Sequence, residues 1–316
     1  MLSRRLALAG LFALAMLPSL GAAAQEKPKV VASFSILGDL VQKVGGDRIE
    51  VVTLVGPDGD AHVFQPSPND AKSVAEAKLV VVNGLGFEGW IDRLVKASGY
   101  SGPVATASAG VAPREMEEEE EHGHAHGHAK PDADAHEHQH GDIDPHAWQS
   151  VANAKIYVRN IRDALIAADP VGRETYEANA AAYTVQLDGL EAEVKATVAK
   201  IPRNARRIIT THDAFGYFAK AYGVEFLSAQ GVSSDTEASA KDVARLIRQI
   251  RKEKVRAVFV ENVTDPRLMQ RIAKESRAKI GGTLYSDALS PPDGPAATYI
   301  DMMRHNIREI GAALTS

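Results

Sequence analysis

Short apolar runs alternate with segments of helical periodicity along nearly the whole chain. In the first half, four runs have the length and apolar content of buried strands: residues 30–35, 51–55, 79–82 and, less strongly, 104–106. Between these runs, apolar residues recur at helical spacing over residues 37–44, 69–77 and 87–97. Strands that alternate with helices in this way predict an α/β architecture with mostly parallel strands.

The second half repeats the same alternation. Strands are predicted at residues 207–211, 224–227, 257–260 and 280–284, and helices at residues 215–222, 238–252, 267–276 and 299–313. The repeat predicts a second α/β lobe with its own sheet, so that two lobes make up the protein.

A long segment between the halves, residues 173–200, is rich in Ala, Glu, Leu and Lys and contains no Pro. This composition predicts one helix, which at about 1.5 Å per residue would be roughly 40 Å long. We therefore predict an N-terminal lobe over residues 25–169, a rigid linking helix over 170–202 and a C-terminal lobe over 203–316.

The first 24 residues have the layout of a secretory signal peptide. Arg4 and Arg5 precede an apolar run over residues 6–20, and small residues follow up to Ala24. A membrane anchor is disfavoured, because Pro18 interrupts the run and the run is shorter than the roughly 20 apolar residues that a spanning helix needs. We expect export to the periplasm, with cleavage near Ala24.

Composition narrows the possible functions. The chain has no Cys, which excludes disulfides, thiolate ligands, thiol catalysis and lipid attachment through a cysteine. The net charge is −5, and no basic stripe with interleaved aromatic residues is present, so nucleic acid is not an expected partner. No second apolar segment of spanning length follows, and we expect a soluble, monomeric mature chain.

Residues 115–142 form a segment that belongs to neither lobe. An acidic run, residues 117–121, is followed by seven of the eleven histidines in the chain, and almost no apolar side chains are present. Such a segment buries too little surface to offset the entropy of ordering it, so we predict a disordered loop that binds metal weakly. The seven histidines are His122, His124, His126, His128, His136, His138 and His140.

Three further histidines stand in connections between predicted strands and helices. His62 follows the strand at residues 51–55, His212 follows the strand at 207–211, and His146 precedes a helical pattern that starts near Val151. Ligands bind open α/β sheets at the carboxyl ends of the strands, so these side chains are candidate metal ligands. His305 lies inside the last amphipathic helix and is interpreted as a structural residue.

Six motifs, in this order, resemble the zinc-specific members of the cluster A-I, or TroA-like, solute-binding proteins of ABC importers. The resemblance covers essentially the whole mature chain. The motifs are Asp-Ala-His-Val-Phe-Gln-Pro-Ser-Pro at 60–68, Asn-Gly-Leu-Gly-Phe-Glu at 83–88, Asp-Pro-His-Ala-Trp at 144–148, Thr-His-Asp-Ala-Phe-Gly-Tyr-Phe at 211–218, Phe-Val-Glu-Asn at 259–262 and Leu-Tyr-Ser-Asp-Ala-Leu at 284–289.

The resemblance implies a metal held in the cleft between two lobes that are joined by one backbone helix. It assigns His62 and His146 to the first lobe as ligands, and His212 and Asp287 to the second. Three imidazoles and one carboxylate suit four-coordinate Zn²⁺, whereas Mn²⁺ prefers more oxygen ligands. In the manganese branch, the position of His212 is usually a carboxylate, so His212 favours zinc.

Other carboxylates are candidates for a supporting role around the ligands. Glu261 follows a buried strand and is either a ligand or an outer-shell partner that orients a histidine; the outer shell is favoured, because Asp287 better matches the family's fourth ligand. Asp144, Asp213 and Glu88 are similar outer-shell candidates, and ordinary loop carboxylates are the alternative for each of them.

The predicted function is a periplasmic receptor that captures Zn²⁺ and delivers it to the permease of an ABC importer, with a periplasmic zinc chaperone as a possible further partner. A manganese-type receptor and a stand-alone zinc buffer or chaperone remain alternatives. A zinc hydrolase is disfavoured, because the sequence contains neither a His-Glu-x-x-His helix nor a Gly-x-Ser-x-Gly turn and a fourth protein ligand would close the site. We therefore predict no enzymatic activity.

Overall fold

Two four-stranded parallel sheets form the framework of the protein in a computed structural model that describes residues 27–115, 143–234 and 238–315. In the first sheet the strand order is β2-β1-β3-β4, and in the second it is β6-β5-β7-β8. The strands are β1 Lys29–Phe34, β2 Glu50–Val55, β3 Leu79–Val82, β4 Val104–Thr106, β5 Arg207–Thr210, β6 Glu225–Ser228, β7 Ala257–Glu261 and β8 Lys279–Leu284. The predicted fold class is confirmed.

Helices cover the sheets, and in the described residues every pair of neighbouring strands is parallel. The helices are α1 Ser35–Gly45, α2 Pro68–Ala75, α3 Ile91–Ser98, α4 Val151–Ala168, α5 Arg173–Lys200, α6 Gly216–Tyr222, α7 Ala240–Glu253, α8 Arg267–Ser276 and α9 Tyr299–Thr315. In each sheet the direction of strand addition reverses beside the first strand, between β1 and β3 or between β5 and β7. Such switch points leave a crevice at the carboxyl ends of the strands, where ligands bind.

The helix α5 links the two sheets, as predicted from its composition. Its 28 residues bury one side chain every three or four positions, from Tyr176 through Leu187 to Val198. This buried stripe packs mainly on α1, α4 and α9, which belong to different parts of the chain. The linking helix is therefore built into the core, and its apolar stripe contacts both halves of the molecule.

One predicted helix boundary was wrong. A helix was predicted over residues 87–97, but α3 begins only at Ile91. The preceding residues Gly84, Leu85 and Gly86 all have positive φ angles, of 85°, 57° and 79°. Consecutive left-handed residues cannot propagate a right-handed helix, so this stretch forms a tight turn that delivers the next two side chains into the protein interior.

Several predictions fall outside the described residues: the signal peptide and the seven histidines of the insertion. The two ends of the insertion meet in an antiparallel bridge between Glu115 and Ile143. Within the described parts of the chain, no helix has both the length and the apolar character required to cross a bilayer. The boundaries assigned to the lobes remain predictions.

Candidate metal centre

Four side chains that lie far apart in the sequence converge on one point. His62, His146, His212 and Asp287 each offer one ligand atom, and these atoms all lie within 4.8 Å of one another. Each residue stands in a connection: after β2, before α4, after β5 and after β8. The carboxyl ends of strands from both sheets therefore contribute to one cluster.

The spacing of the ligand atoms fits a small cation. Nε2 of His62 lies 3.2 Å from Nε2 of His146 and 3.2 Å from Oδ2 of Asp287. Asp287 is also 3.0 Å from Nε2 of His212 through Oδ2 and 3.5 Å from Nε2 of His146 through Oδ1. A tetrahedral ion with bonds of about 2.1 Å holds its ligand atoms about 3.4 Å apart.

The four side chains of the cluster are almost completely shielded from solvent. His146, His212 and Asp287 are completely buried, and the side chain of His62 is 6% exposed. Oδ1 of Asp287 is buried and has no hydrogen-bond partner. A buried carboxylate oxygen without a donor is costly, and a bound cation would satisfy it. The residues present therefore fit a divalent metal.

Asp144 holds the imidazole of His146 in position. Its Oδ1 atom lies 2.9 Å from Nδ1 of His146 and also accepts a hydrogen bond from the backbone N–H of that residue. An ionised carboxylate can only accept, so Nδ1 carries a proton and Nε2 faces the cluster, where it offers a lone pair once it is deprotonated. Arg114 donates to the other oxygen of Asp144 over 3.1 Å and so compensates its buried charge.

Glu261 plays the corresponding part for His212. Its Oε1 atom accepts hydrogen bonds from the backbone N–H groups of Thr211 and His212 at 2.7 and 3.0 Å. Its Oε2 atom is 2.6 Å from Nδ1 of His212, an ion-pair distance, although the two atoms lack the angular geometry of a hydrogen bond. Glu261 thus contacts the far side of the imidazole and does not join the four converging ligand atoms.

The carboxylates change the pKa values of two histidines. Burial alone would lower the pKa of His146, but the negative charges of Asp287 and Asp144 outweigh it and raise that pKa to about 9. The pKa of His212 is likewise raised well above its ordinary value, because Glu261 and Asp287 outweigh the effect of burial. Burial would raise the pKa of Asp287, yet the two imidazoles hold it well below the usual range.

An aromatic wall, formed by Phe34, Phe87 and Trp148, closes one side of the cluster. The three ring centroids lie 4.8 to 5.0 Å apart, and all three side chains are buried. The ring of Phe87 packs against His62 at 4.7 Å, and Trp148 packs against His146 at 5.3 Å. The wall restricts the rotamers of both histidines and keeps water away from this side.

Three other residues considered in the sequence lie away from the cluster. Asp213 faces Arg114, with Oδ2 of Asp213 3.9 Å from the guanidinium. Glu88 accepts hydrogen bonds from Ser33 and from the backbone of Asn83, and so holds the turn after β3. His305 lies in α9, 2.9 Å from the carbonyl oxygen of Thr283.

Sequence reasoning missed the aromatic wall and the charge compensation by Arg114. Trp148 stands two residues after His146, inside a motif that had been singled out, so its position was a usable signal. No comparable signal marked Arg114, because its contact with Asp144 spans the insertion of residues 115–142.

Comparison with known proteins finds relatives over nearly the whole chain. Residues 30–313 match the family described as "ZnuA: Zinc-uptake complex component A periplasmic". The chain is 32% identical over 285 residues to the iron-binding protein YfeA of Yersinia pestis, covering 90% of this chain and 86% of that protein. It is 34% identical over 283 residues to the manganese-binding lipoprotein MntA of Halalkalibacterium halodurans, covering 89% and 87% of the two chains.

A solved structure shares the fold over nearly the whole chain. The periplasmic zinc binding protein TroA from Treponema pallidum superposes with a TM-score of 0.81 at 29% sequence identity, covering 91% of this chain and 99% of that one. The names of these relatives include zinc, manganese and iron, so the comparisons support a metal-binding role without selecting one metal.

Proposed function

The chain belongs to the ZnuA family of periplasmic zinc-uptake components, and from that premise we propose that it captures Zn²⁺ outside the cytoplasm and delivers it to an ABC importer. The observation that carries the proposal is the convergence of His62, His146, His212 and Asp287 on one buried point. The ion is the cargo, and both halves of the chain contribute ligands, so binding is coupled to the relative position of the lobes.

The chemistry of the donor set favours zinc. Three neutral imidazoles and one carboxylate supply four N or O ligands, the number that Zn²⁺ takes in closed sites, and leave one net positive charge. The carboxylate of Glu261 lies behind His212 and offsets that charge, whereas the carboxylate of Asp144, behind His146, is compensated by Arg114. Mn²⁺ prefers more oxygen ligands than one carboxylate oxygen provides.

A manganese-type receptor is the second candidate, and two observations favour it. Relatives with this fold are named for manganese and iron. The free Oδ1 atom of Asp287 could also add an oxygen ligand to the set and raise the coordination number. The affinity for each metal therefore decides between the two candidates.

The proposed site is closed, which distinguishes it from a hydrolytic zinc centre. Catalytic zinc sites keep one position open for water or substrate. Here four protein ligands would surround the ion, and three of them are fully buried. We infer a binding protein without enzymatic activity, whose partner is the permease of an ABC importer.

A titration separates the buried site from the histidine-rich insertion. We expect a variant that lacks residues 117–140 to keep one tight Zn²⁺ site, because all four proposed ligands lie outside that segment. Calorimetry with Zn²⁺, followed by competition with Mn²⁺, should show one equivalent bound and a clear preference for zinc. Loss of tight binding in the deletion variant would contradict the site assignment, and a preference for Mn²⁺ would favour the second candidate.

A further inference from the structure

The peptide that carries Asp287 follows β8 of the second sheet but is bonded to the first lobe. The carbonyl oxygen of Ser286 accepts one hydrogen bond from the indole Nε1–H of Trp148 over 2.9 Å and another from Nε2 of Gln149 over 2.8 Å. Both donors lie in the short turn that follows His146. Two donors on one carbonyl use both of its lone pairs and fix the plane of the Ser286–Asp287 peptide.

Two bonds after Asp287 also go to the first lobe, whereas Tyr285, before it, is bonded through both of its backbone groups to Asn306 of α9 at 2.9 and 2.8 Å. The backbone N–H of Leu289 donates to the hydroxyl of Ser35, and the carbonyl of Leu289 accepts a hydrogen bond from the backbone N–H of Asp58. Further along the chain, the hydroxyl of Tyr299 donates to the carbonyl of Trp148. Towards the second sheet, the same segment has a longer bond, 3.3 Å, from the amide of Asn262 to the carbonyl of Ala288. Most of the hydrogen bonds made by residues 286–289 therefore go to the first lobe.

The two donors are completely buried, which makes them effective supports. Trp148 packs in the aromatic wall, and Gln149 has a buried Oε1 atom without a hydrogen-bond partner. Burying a side-chain amide whose oxygen has no donor is costly. The amide nitrogen of Gln149, Nε2, makes its hydrogen bond to the carbonyl oxygen of Ser286. Hydrogen bonds in such surroundings hold a geometry more firmly than exposed ones.

We propose that Trp148 and Gln149 are positioning residues, which hold the fourth ligand, Asp287, at the correct distance from His146. This inference rests on the proposed metal-binding function. It means that one lobe supports three of the ligands, His62, His146 and Asp287, whereas His212 is held in the second sheet by Glu261. His212 is then the ligand most directly affected when the lobes separate.

The other tryptophan of the chain offers a matched comparison. The indole of Trp90 donates over 2.8 Å to the carbonyl of Ala61, the residue immediately before His62. Each indole thus fastens the peptide that precedes a different proposed ligand. Trp90→Phe removes the same donor as Trp148→Phe but should act through His62 and not through Asp287.

A double-mutant cycle on Zn²⁺ affinity tests the inference. We expect Trp148→Phe and Gln149→Leu each to weaken binding about tenfold, as outer-shell changes do. In an Asp287→Ala background the same changes should alter the affinity by less than about twofold, because the residue on which they act is gone. Trp90→Phe should cause a similar loss in both backgrounds. Circular dichroism checks that each variant is folded.

Different outcomes would contradict the positioning role and the ligand set. If Trp148→Phe and Gln149→Leu each reduce the Zn²⁺ affinity by the same factor with and without Asp287, the positioning role is overturned and the ligand set stays intact. The same holds if neither change reduces the affinity of the otherwise unaltered chain. An Asp287→Ala variant that binds Zn²⁺ as tightly as the unaltered protein would instead remove Asp287 from the ligand set, and the proposed site would fail first. If the Trp148→Phe variant does not fold, the comparison of Gln149→Leu with and without Asp287→Ala is sufficient to test the positioning role.

Discussion

Replacing His146 by Ala is expected to weaken Zn²⁺ binding by more than about 100-fold. Even outer-shell changes cost about 10- to 100-fold in metal affinity, and His146 would be a direct ligand. The change would also leave the buried carboxylate of Asp144 without the imidazole that it contacts at 2.9 Å. Calorimetric titration of the variant that lacks residues 117–140 measures the loss without a contribution from the insertion.

The chain provides a control for this substitution. His305 is also largely buried, but its ring nitrogens contact Thr283 and Arg308 in and beside α9. His305→Ala should therefore leave the Zn²⁺ affinity unchanged within about twofold, because distant sites act independently. Equal losses in the two variants would show that the effect comes from disturbed folding and would contradict the assignment of His146.

Metal binding is expected to release about two protons at pH 7. The raised pKa values keep His146 and His212 protonated in the metal-free protein, and both must lose that proton to bind the ion. The apparent Zn²⁺ affinity should therefore rise by up to about 100-fold per pH unit near neutrality, and the contribution of His146 to this rise should end above about pH 9. Calorimetry in buffers with different ionisation enthalpies counts the released protons.

The same pKa shifts determine the sign of the stability change in the metal-free protein. A histidine whose folded pKa is raised from 6.5 to about 9 stabilises the folded state fully below pH 6.5 and loses that contribution as the pH rises to 9. The positive charge of the protonated histidines in the metal-free protein is thus replaced by the charge of the metal when the ion binds to the same buried cluster. An affinity that is unchanged between pH 6 and pH 9, with no proton release, would contradict this exchange.

The fold was predictable because its signals are local and repeated. Buried strands such as β3 are continuous apolar runs, and α5 has a helix-forming composition over its whole length. The start of α3 was missed because Leu85 adopts a left-handed conformation that a non-glycine residue rarely takes. That conformation depends on the bonds that Glu88 makes to the turn, and such tertiary contacts have no periodic signature.

The candidate site was predictable to a different degree for each residue. Three histidines after or between regular elements could be picked out by position, whereas Asp287 came from the resemblance alone. The contacts that orient them, such as Arg114 with Asp144 or Trp148 with Ser286, join residues that lie 30 and 138 positions apart. Pairings at such distances follow from how segments pack within a lobe or between the lobes, and no property of the separate segments indicates them.

The position of Asp287 also changes how the two lobes are understood. The predicted boundaries assign every residue after 202 to the C-terminal lobe, yet residues 286–289, just after β8, are hydrogen-bonded chiefly to the first lobe. A separate apolar cluster in the second lobe, which includes Val243, Ile247 and Met269, lies beneath α7 and α8. The chain therefore contacts the first lobe directly after β8, which lets residues remote in sequence complete one site.

The central claim is that four side chains enclose one cargo ion, and anomalous scattering tests it most directly. Crystals of the zinc-loaded protein, measured on both sides of the zinc absorption edge, locate the metal independently of any assumed ligand set. We expect one strong anomalous peak, which places a zinc ion about 2.0–2.2 Å from the imidazoles of His62, His146 and His212 and from the carboxylate of Asp287. A peak elsewhere, or a peak at this point with any of the three imidazoles turned away from it, would contradict the account.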